Sequence, residues 1–181
     1  MNVAFKIVNV VSTAVLDRPM DLESLHEIFP HEIIHDQEIY RGRVAYFKSK
    51  NMEGKVSIFS SGKMITVGTK SVEEATKELK WVAKTLNASL KTEPKIQNIV
   101  ATANLGSEVD LYKIATLEKM KAIYEPDQFP GAIIRLPLHE KEVVASILLF
   151  ASGKLVCVGL KDPKDVHLAI EQLLAEIQMR S

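Results

Sequence analysis

The run HEIIH, His31 to His35, is the stretch of this chain that most resembles a catalytic motif. On a helix, an H-E-x-x-H pattern sets two imidazoles on one face to bind zinc, with the glutamate between them as the general base of a peptidase. The surroundings argue against that use. Pro30 ends the short helix predicted just before the run, and no convincing third ligand can be assigned. The other histidines, His26, His139 and His167, form no recognisable triad with Cys157 or a serine, and no glycine-rich phosphate loop occurs. The single cysteine excludes an intramolecular disulfide framework and a multi-cysteine zinc site, and Cys157 reads as a small apolar core residue. A non-enzymatic protein, with no metal site and no cofactor, is the expectation.

Composition narrows the class further. With 181 residues, 46% hydrophobic and 25% charged, the chain can build a sizeable core without staples. The 23 basic and 23 acidic residues cancel, and the cancellation holds in each half: 12 against 11 up to Leu90, then 11 against 12. Taken alone this argues against nucleic acid, whose partners are usually basic. The longest uncharged apolar stretch, Val143 to Ala151, is about half of the ~18 residues a membrane span requires. The N-terminus lacks a signal-peptide pattern, so a soluble intracellular protein with no membrane partner is expected.

The elements that would position functional groups come as a repeat. FSSGKMITVG, Phe59 to Gly68, returns as FASGKLVCVG, Phe150 to Gly159, with six of ten positions identical and the others similar in size and polarity. IVNVVSTAVL from Ile7 matches IQNIVATANL from Ile96, and DLESL from Asp21 matches DLYKI from Asp110, both at an offset of 89. Phe59 to Phe150 is an offset of 91, which places two extra residues of the second copy between Gly131 and Leu149. Two copies, 1–91 and 92–181, therefore fill the chain.

Each copy has the same predicted order. A β-branched strand, Val8 to Thr13, leads to a helix opened by Asp21, with Leu22, Leu25, Ile28 and Phe29 on one stripe. Strand-like runs follow at Gly42 to Lys48, Lys55 to Ser60 and Lys63 to Gly68, with SSGK as a hairpin turn. A long amphipathic helix closes the copy. Ser71 with Glu74 forms its capping box, and Val72, Ala75, Leu79, Val82, Ala83 and Leu86 form its apolar stripe. In the second copy the closing helix starts at Asp162-Pro163 and carries Val166, Ala169, Ile170, Leu173, Leu174 and Ile177. Met64 and Thr66 point to one side of their strand, Ile65 and Val67 to the other; Leu155 and Cys157 oppose Val156 and Val158 in the same way. Helices can cover only one of these faces, and the other is expected to be an exposed apolar binding surface.

YEPDQFPGAIIR, Tyr124 to Arg135, together with FSSGKMI, FASGKLV and the paired strands holding Asn9-Val10-Val11 and Asn98-Ile99-Val100, resembles the TATA-box-binding protein family, most closely its short archaeal form. The resemblance covers nearly the whole chain. It implies an α+β fold in which two pseudo-symmetric repeats form a curved, saddle-shaped ten-stranded antiparallel sheet with four helices on the convex face. It also implies a general transcription initiation factor that binds A/T-rich TATA-box promoter DNA in the minor groove and kinks it by aromatic insertion. Such wedging is known behaviour of that family rather than something read from these residues. The residues agree with it on one point. A·T pairs show only acceptors in the minor groove, whereas G·C adds an amino donor that a valine and isoleucine surface would strand.

By resemblance, Tyr40, Phe59, Phe129 and Phe150 are the DNA-intercalating wedges. The minor-groove floor comprises Asn9, Val11, Ile65 and Val67 from the first copy and Asn98, Val100, Leu148, Val156 and Val158 from the second, with the two asparagines donating to bases near the centre. Lys63, Arg135 and Lys154 are implied phosphate partners, with Arg41 and Arg43 as further cations. Glu125, Asp127 and Gln128 match the edge that the family offers to a transcription factor B-type protein, ahead of RNA polymerase. The resemblance also implies a cytoplasmic, nucleoid location in an archaeon, or a nuclear one in a eukaryote. Self-association through the sheet face without DNA stays open.

The first copy departs from the family pattern. Setting QEIYRGRVAY, Gln37 to Tyr46, against PDQFPGAIIR, Pro126 to Arg135, puts Tyr40 at the wedge phenylalanine, Arg41 at the proline and Tyr46 at the arginine. Ser57 replaces a leucine, and Val67 and Val158 stand where the family commonly has threonine. The alternative is therefore a divergent paralogue that acts mainly through protein partners, with weak or altered DNA specificity.

Overall fold

In the computed structural model, which describes residues 3–138 and 142–178, the β-branched run of the first copy forms β1 (Phe5–Leu16) and its counterpart forms β6 (Leu90–Asn104). Between them lie α1 (Leu22–Ile28), β2 (Ile33–His35), β3 (Val44–Phe47), β4 (Lys55–Phe59), β5 (Lys63–Thr69) and α2 (Val72–Thr85). After β6 come α3 (Leu111–Ala115), β7 (Ala122–Ile123), β8 (Gly131–Pro137), β9 (Val144–Phe150), β10 (Lys154–Leu160) and α4 (Pro163–Gln178). The ten strands hydrogen-bond in the order β2-β3-β4-β5-β1-β6-β10-β9-β8-β7. His139 lies outside the described residues.

The chain forms two compact units, Asn9–Gln97 and a second that joins the residues before Asn9 to those from Asn98 onward. The division in space thus falls within β1 and β6, whereas the repeat boundary in sequence falls at 91/92. In the unit Asn9–Gln97, Ala14, Leu16, Ala45, Phe47, Val56, Ile58 and Met64 from the strands pack on Leu22 and Leu25 of α1 and on Leu79, Val82, Ala83 and Leu86 of or next to α2. In the other unit, Ile147, Leu149, Leu155 and Cys157 are buried, as are Leu111 and Ile114 of α3 and Val166, Ala169, Ile170 and Leu173 of α4. Every one of these strand residues sits on one parity of its strand, the period-two condition for a face covered by helices.

Local chemistry starts each helix. Asp21 accepts from the Ser24 N–H (3.3 Å) and Oγ (2.8 Å), and these bonds hold its carboxyl below the usual aspartate range. Ser71 accepts from the Glu74 N–H at 3.0 Å, while the Glu74 carboxylate reaches Lys77 Nζ at 3.4 Å. Ile28 departs from expectation: it is 66% exposed. The helix is only seven residues long, with Leu22 and Leu25 as its buried residues, and Ile28 is its last residue. Among the described residues, no helix is long and apolar enough to cross a membrane.

The H-E-x-x-H run is not helical. His31 and Glu32 form a turn and Ile33–His35 is β2, paired with Phe47, Tyr46 and Ala45 of β3. The two imidazoles therefore lack the shared helical face that the zinc chemistry needs. Instead, the His35 Nε2 lies 2.9 Å from the Gly42 carbonyl oxygen.

Strand register revises the alignment of the copies. Val44 pairs with Phe59, whereas Gly131 pairs with Phe150, so Val44 and Gly131 are equivalent at an offset of 87. Ile33 and Ile34 pair with Phe47 and Tyr46 as Ala122 and Ile123 pair with Ile134 and Ile133, an offset of 89. The first copy thus carries two additional residues between Ile34 and Val44, and the second carries four more between β8 and β9. Tyr46 is then the counterpart of Ile133, not of Arg135, and Lys48 takes the Arg135 position. The surplus residues are taken up in a 3-10 turn, Ile39–Gly42, with left-handed backbone at Tyr40 (φ 49°), Arg41 (φ 56°) and Gly42 (φ 68°). By the same register Arg43, not Arg41, is the counterpart of Pro130, and Arg41 has a positive φ that no proline could adopt.

Cys157 is fully buried, and burial raises its thiol pKa from 9.0 to about 11. The folded chain thus keeps this proton at a pH where the unfolded chain has lost it. Stability from this group is complete below about pH 9 and declines as pH rises from there toward 11. Iodoacetamide at pH 8 is expected to leave the native thiol unmodified and to alkylate it once the chain is unfolded in denaturant. Rapid native labelling, read by mass spectrometry, would contradict this burial.

Candidate nucleic-acid interface

The strand residues of opposite parity make the second sheet face of each unit. In the unit Asn9–Gln97, Asn9, Val11, Ser57, Phe59, Ile65 and Val67 are half-buried while Val10, Ser12, Val56, Ile58, Met64 and Thr66 are buried. In the other unit, Asn98, Val100, Leu148, Phe150, Val156 and Val158 are half-buried while their neighbours Ile99, Ala101, Ile147, Leu149, Leu155 and Cys157 are buried. Every floor residue expected from the sequence lies on this outward parity. The Val156↔Leu148 and Ile133↔Leu148 pairings bring an apolar row across three strands.

Both asparagines hold a bulged glycine. The β1–β5 register slips between Val10↔Thr69 and Ser12↔Thr66, so Gly68 sits in a bulge with φ +95°. Such a glycine N–H leaves the ladder and needs another acceptor. Asn9 Oδ1 provides it at 2.7 Å. The slip recurs between Cys157↔Ala101 and Leu160↔Ile99, where Gly159 has φ +90° and donates to Asn98 Oδ1 at 2.8 Å. A backbone N–H can only donate, so each amide is held by its oxygen. Each Nδ2, with two N–H bonds, is left to the uncovered face.

The wedge positions differ between the units. Phe129 and Phe150 form a tilted ring pair with centroids 5.8 Å apart. Gly131 makes room for it: a Cβ there would come within 2.9 Å of Phe129 Cε1 and 3.2 Å of Phe150 Cδ1. In the first copy, the residue two before Val44, equivalent by register to Phe129, is Gly42, which has no side chain. Tyr40, displaced by the insertion, is 72% exposed and lines one concavity with Phe59, Arg41 and Arg43.

Polar groups ring the face. Arg135 is exposed and donates through Nη1 to Ser146 Oγ at 2.6 Å, its cross-strand neighbour. Lys63 and Lys154 are exposed at the starts of β5 and β10. Glu125, Asp127 and Gln128 are exposed on a turn in which the N–H groups of Gln128 and Phe129 both donate to the Glu125 carbonyl, at 2.9 and 3.0 Å. That turn projects the acidic side chains outward while fixing the backbone that enters Phe129.

The family model described as transcription factor TFIID, or TATA-binding protein, matches this chain twice, over residues 4–89 and 93–179. The chain belongs to the TATA-binding protein family. Among curated relatives, the TATA-box-binding protein of Methanothermobacter thermautotrophicus is 37% identical over 97% of this chain and 96% of its own length. That of Thermococcus celer is 38% identical over 98% and 92%. A solved structure, Methanococcus jannaschii TBP, superposes with a TM-score of 0.79 at 34% identity, covering 97% of this chain and 98% of that one. The α+β family fold expected from the sequence, with ten strands and four helices, is the one observed.

The outward face also holds residues that sequence reasoning passes over. Ile133, Thr13 and Thr102 share the face with the expected floor, and the period-two pattern of β8 could have disclosed Ile133. Gln97 donates through Nε2 to Thr13 Oγ1 at 2.9 Å on the same side. Lys55 and Tyr46 also belong here: alternation along β4 puts Lys55 on the side of Ser57 and Phe59, and the strand register sets Tyr46 opposite Ser57.

Proposed function

We propose that this chain is a general transcription initiation factor that applies its uncovered sheet face to the minor groove of A/T-rich promoter DNA. The observation that carries the reading is the pair of asparagines. In both units a glycine N–H occupies the amide oxygen, and the remaining Nδ2 donors stand among valines and isoleucines. Two donors set among valines and isoleucines complement a surface of acceptors, which is what A·T pairs present in the minor groove. A guanine amino group beside either asparagine would meet Nδ2 donors and an amide oxygen already occupied by a glycine N–H.

In the same reading Phe129 and Phe150 enter a base step together, while Phe59 and the displaced Tyr40 serve the other end. Arg135, Lys63 and Lys154 meet phosphates, and the Glu125 turn receives a transcription factor B-type protein that brings RNA polymerase. Burial of the apolar floor, at about 25 cal/mol per Å² removed from water, supplies affinity that a neutral chain does not draw from charge. Kinking toward the major groove exposes the floor area that makes this burial possible.

The test is a binding and bending assay on matched duplexes, one A/T-rich and one with G·C pairs substituted at the centre. Tight binding with bending of the A/T-rich duplex alone is expected. Straight, equally bound duplexes would refute minor-groove wedging. An absence of DNA binding combined with tight association with transcription factor B would favour the divergent paralogue, whose motivation is the altered segment around Tyr40.

A further inference from the structure

On the outward face of the unit Asn9–Gln97, the register gives the Arg135 position to Lys48. That ammonium is already engaged. Lys48 Nζ donates to the carbonyl oxygens of Met52 at 2.7 Å, Glu53 at 2.8 Å and Gly54 at 2.7 Å, which uses all three of its N–H bonds to hold the loop before β4.

Lys55 is the next cation along. It opens β4 on the same parity as Ser57 and Phe59, pairs with Val67 of the floor, and is exposed. Its Nζ lies 4.5 Å from the centroid of the Tyr46 ring, and no carboxylate pairs with it among the described residues. A ring under the ammonium holds it outward without neutralising it. In the second copy the position of Lys55 is taken by Ser146, which accepts from Arg135. The positive charge that the second copy carries on β8 has therefore moved one strand over, to β4.

We infer that Lys55, seated on Tyr46, is a DNA-phosphate contact of the first copy in addition to Lys63, and the counterpart in role of Arg135 in the second. This rests on the DNA reading above and deepens it by replacing Tyr46, and the engaged Lys48, with a named cation. The pairing of Lys55 with Tyr46 substitutes for an arginine-serine pair, and the two copies then each offer one face-mounted cation beyond the hairpin lysines Lys63 and Lys154.

The full chain, titrated with an A/T-rich duplex over a salt series, tests this through the slope of log K against log salt. One lost phosphate contact lowers the magnitude of that slope by about 0.9. Lys55→Gln is expected to lower it by about that amount, as Arg135→Gln does, while Lys55→Arg keeps the wild-type slope. Melting curves of the variants should coincide with wild type, since Lys55 is exposed. A wild-type slope for Lys55→Gln beside a reduced slope for Arg135→Gln overturns the assignment and leaves the DNA reading intact. Weaker binding by Lys55→Gln with an unchanged slope also overturns it. Failure of the wild-type protein to bind the duplex overturns the DNA reading itself, and the assignment with it.

Discussion

Asn98→Asp is expected to weaken binding to an A/T-rich duplex by roughly a hundredfold or more, with no loss of folding. The carboxylate keeps an oxygen for the Gly159 N–H, now held at 2.8 Å by the amide. What disappears is the Nδ2 donor, and what replaces it is an anion facing base acceptors. An unmatched polar group costs about 1–3 kcal/mol and more when charged, and each 1.4 kcal/mol is a factor of ten in affinity. Asn9→Asp should behave alike, because Asn9 holds the Gly68 N–H at 2.7 Å in the same way. Asn98→Ala is the contrasting variant. It removes the donor and also orphans the bulge N–H, so both affinity and melting temperature should fall. Equal affinities for wild type and Asn98→Asp, measured by fluorescence anisotropy, would remove the asparagines from the interface.

The second large effect concerns the aromatic ends, and it should be unequal. Phe150→Ala is expected to lower affinity by about 2–3 kcal/mol, roughly 30- to 150-fold, and to reduce the bend, since stacking on a base is worth about 1–3 kcal/mol and apolar floor is lost with it. Phe129→Ala should approach this, because the two rings pair with centroids 5.8 Å apart and would act as one wedge. Tyr40→Ala should cost much less. The register leaves Gly42 at the equivalent of Phe129, and Tyr40 reaches the site only from a left-handed turn, 72% exposed. The end of the duplex served by the first copy should then kink less than the other. Fluorophore pairs placed to report each end separately would show this, and equal bends that respond equally to Tyr40→Ala and Phe129→Ala would refute it.

The parts of the fold legible from the residues are those written in local periodicity. Alternation separates Met64 and Thr66 from Ile65 and Val67 in β5, the resemblance says which pair faces outward, and the two pairs do lie on opposite faces, the first buried and the second half-buried. The closing helices are equally readable, since Leu79, Val82 and Ala83 or Ala169, Ile170 and Leu173 recur at helical spacing. Register is not readable in this way. Matching Tyr40 and Gly42 to Phe129 and Gly131 maximises likeness of residue type, yet the ladder joins Val44 to Phe59, and ladder hydrogen bonds are made by backbone groups that every residue carries. Alternation with Phe59 is enough to place Lys55 on the outward face, but only the register shows that it stands where the second copy has Ser146, beside Tyr46. Asn9 and Asn98 are visible in the sequence only as donors to bases; their bond to a bulged glycine joins residues 59 and 61 positions apart, beyond any local pattern.

That bond has a consequence for how quickly and how tightly a duplex can be gripped. A surface asparagine ordinarily turns freely, and freezing its side chain on association subtracts from affinity. Here Gly68 and Gly159 have already frozen both amides in the free chain, so the rotational freedom is given up once, during folding, and none is left to surrender at the encounter.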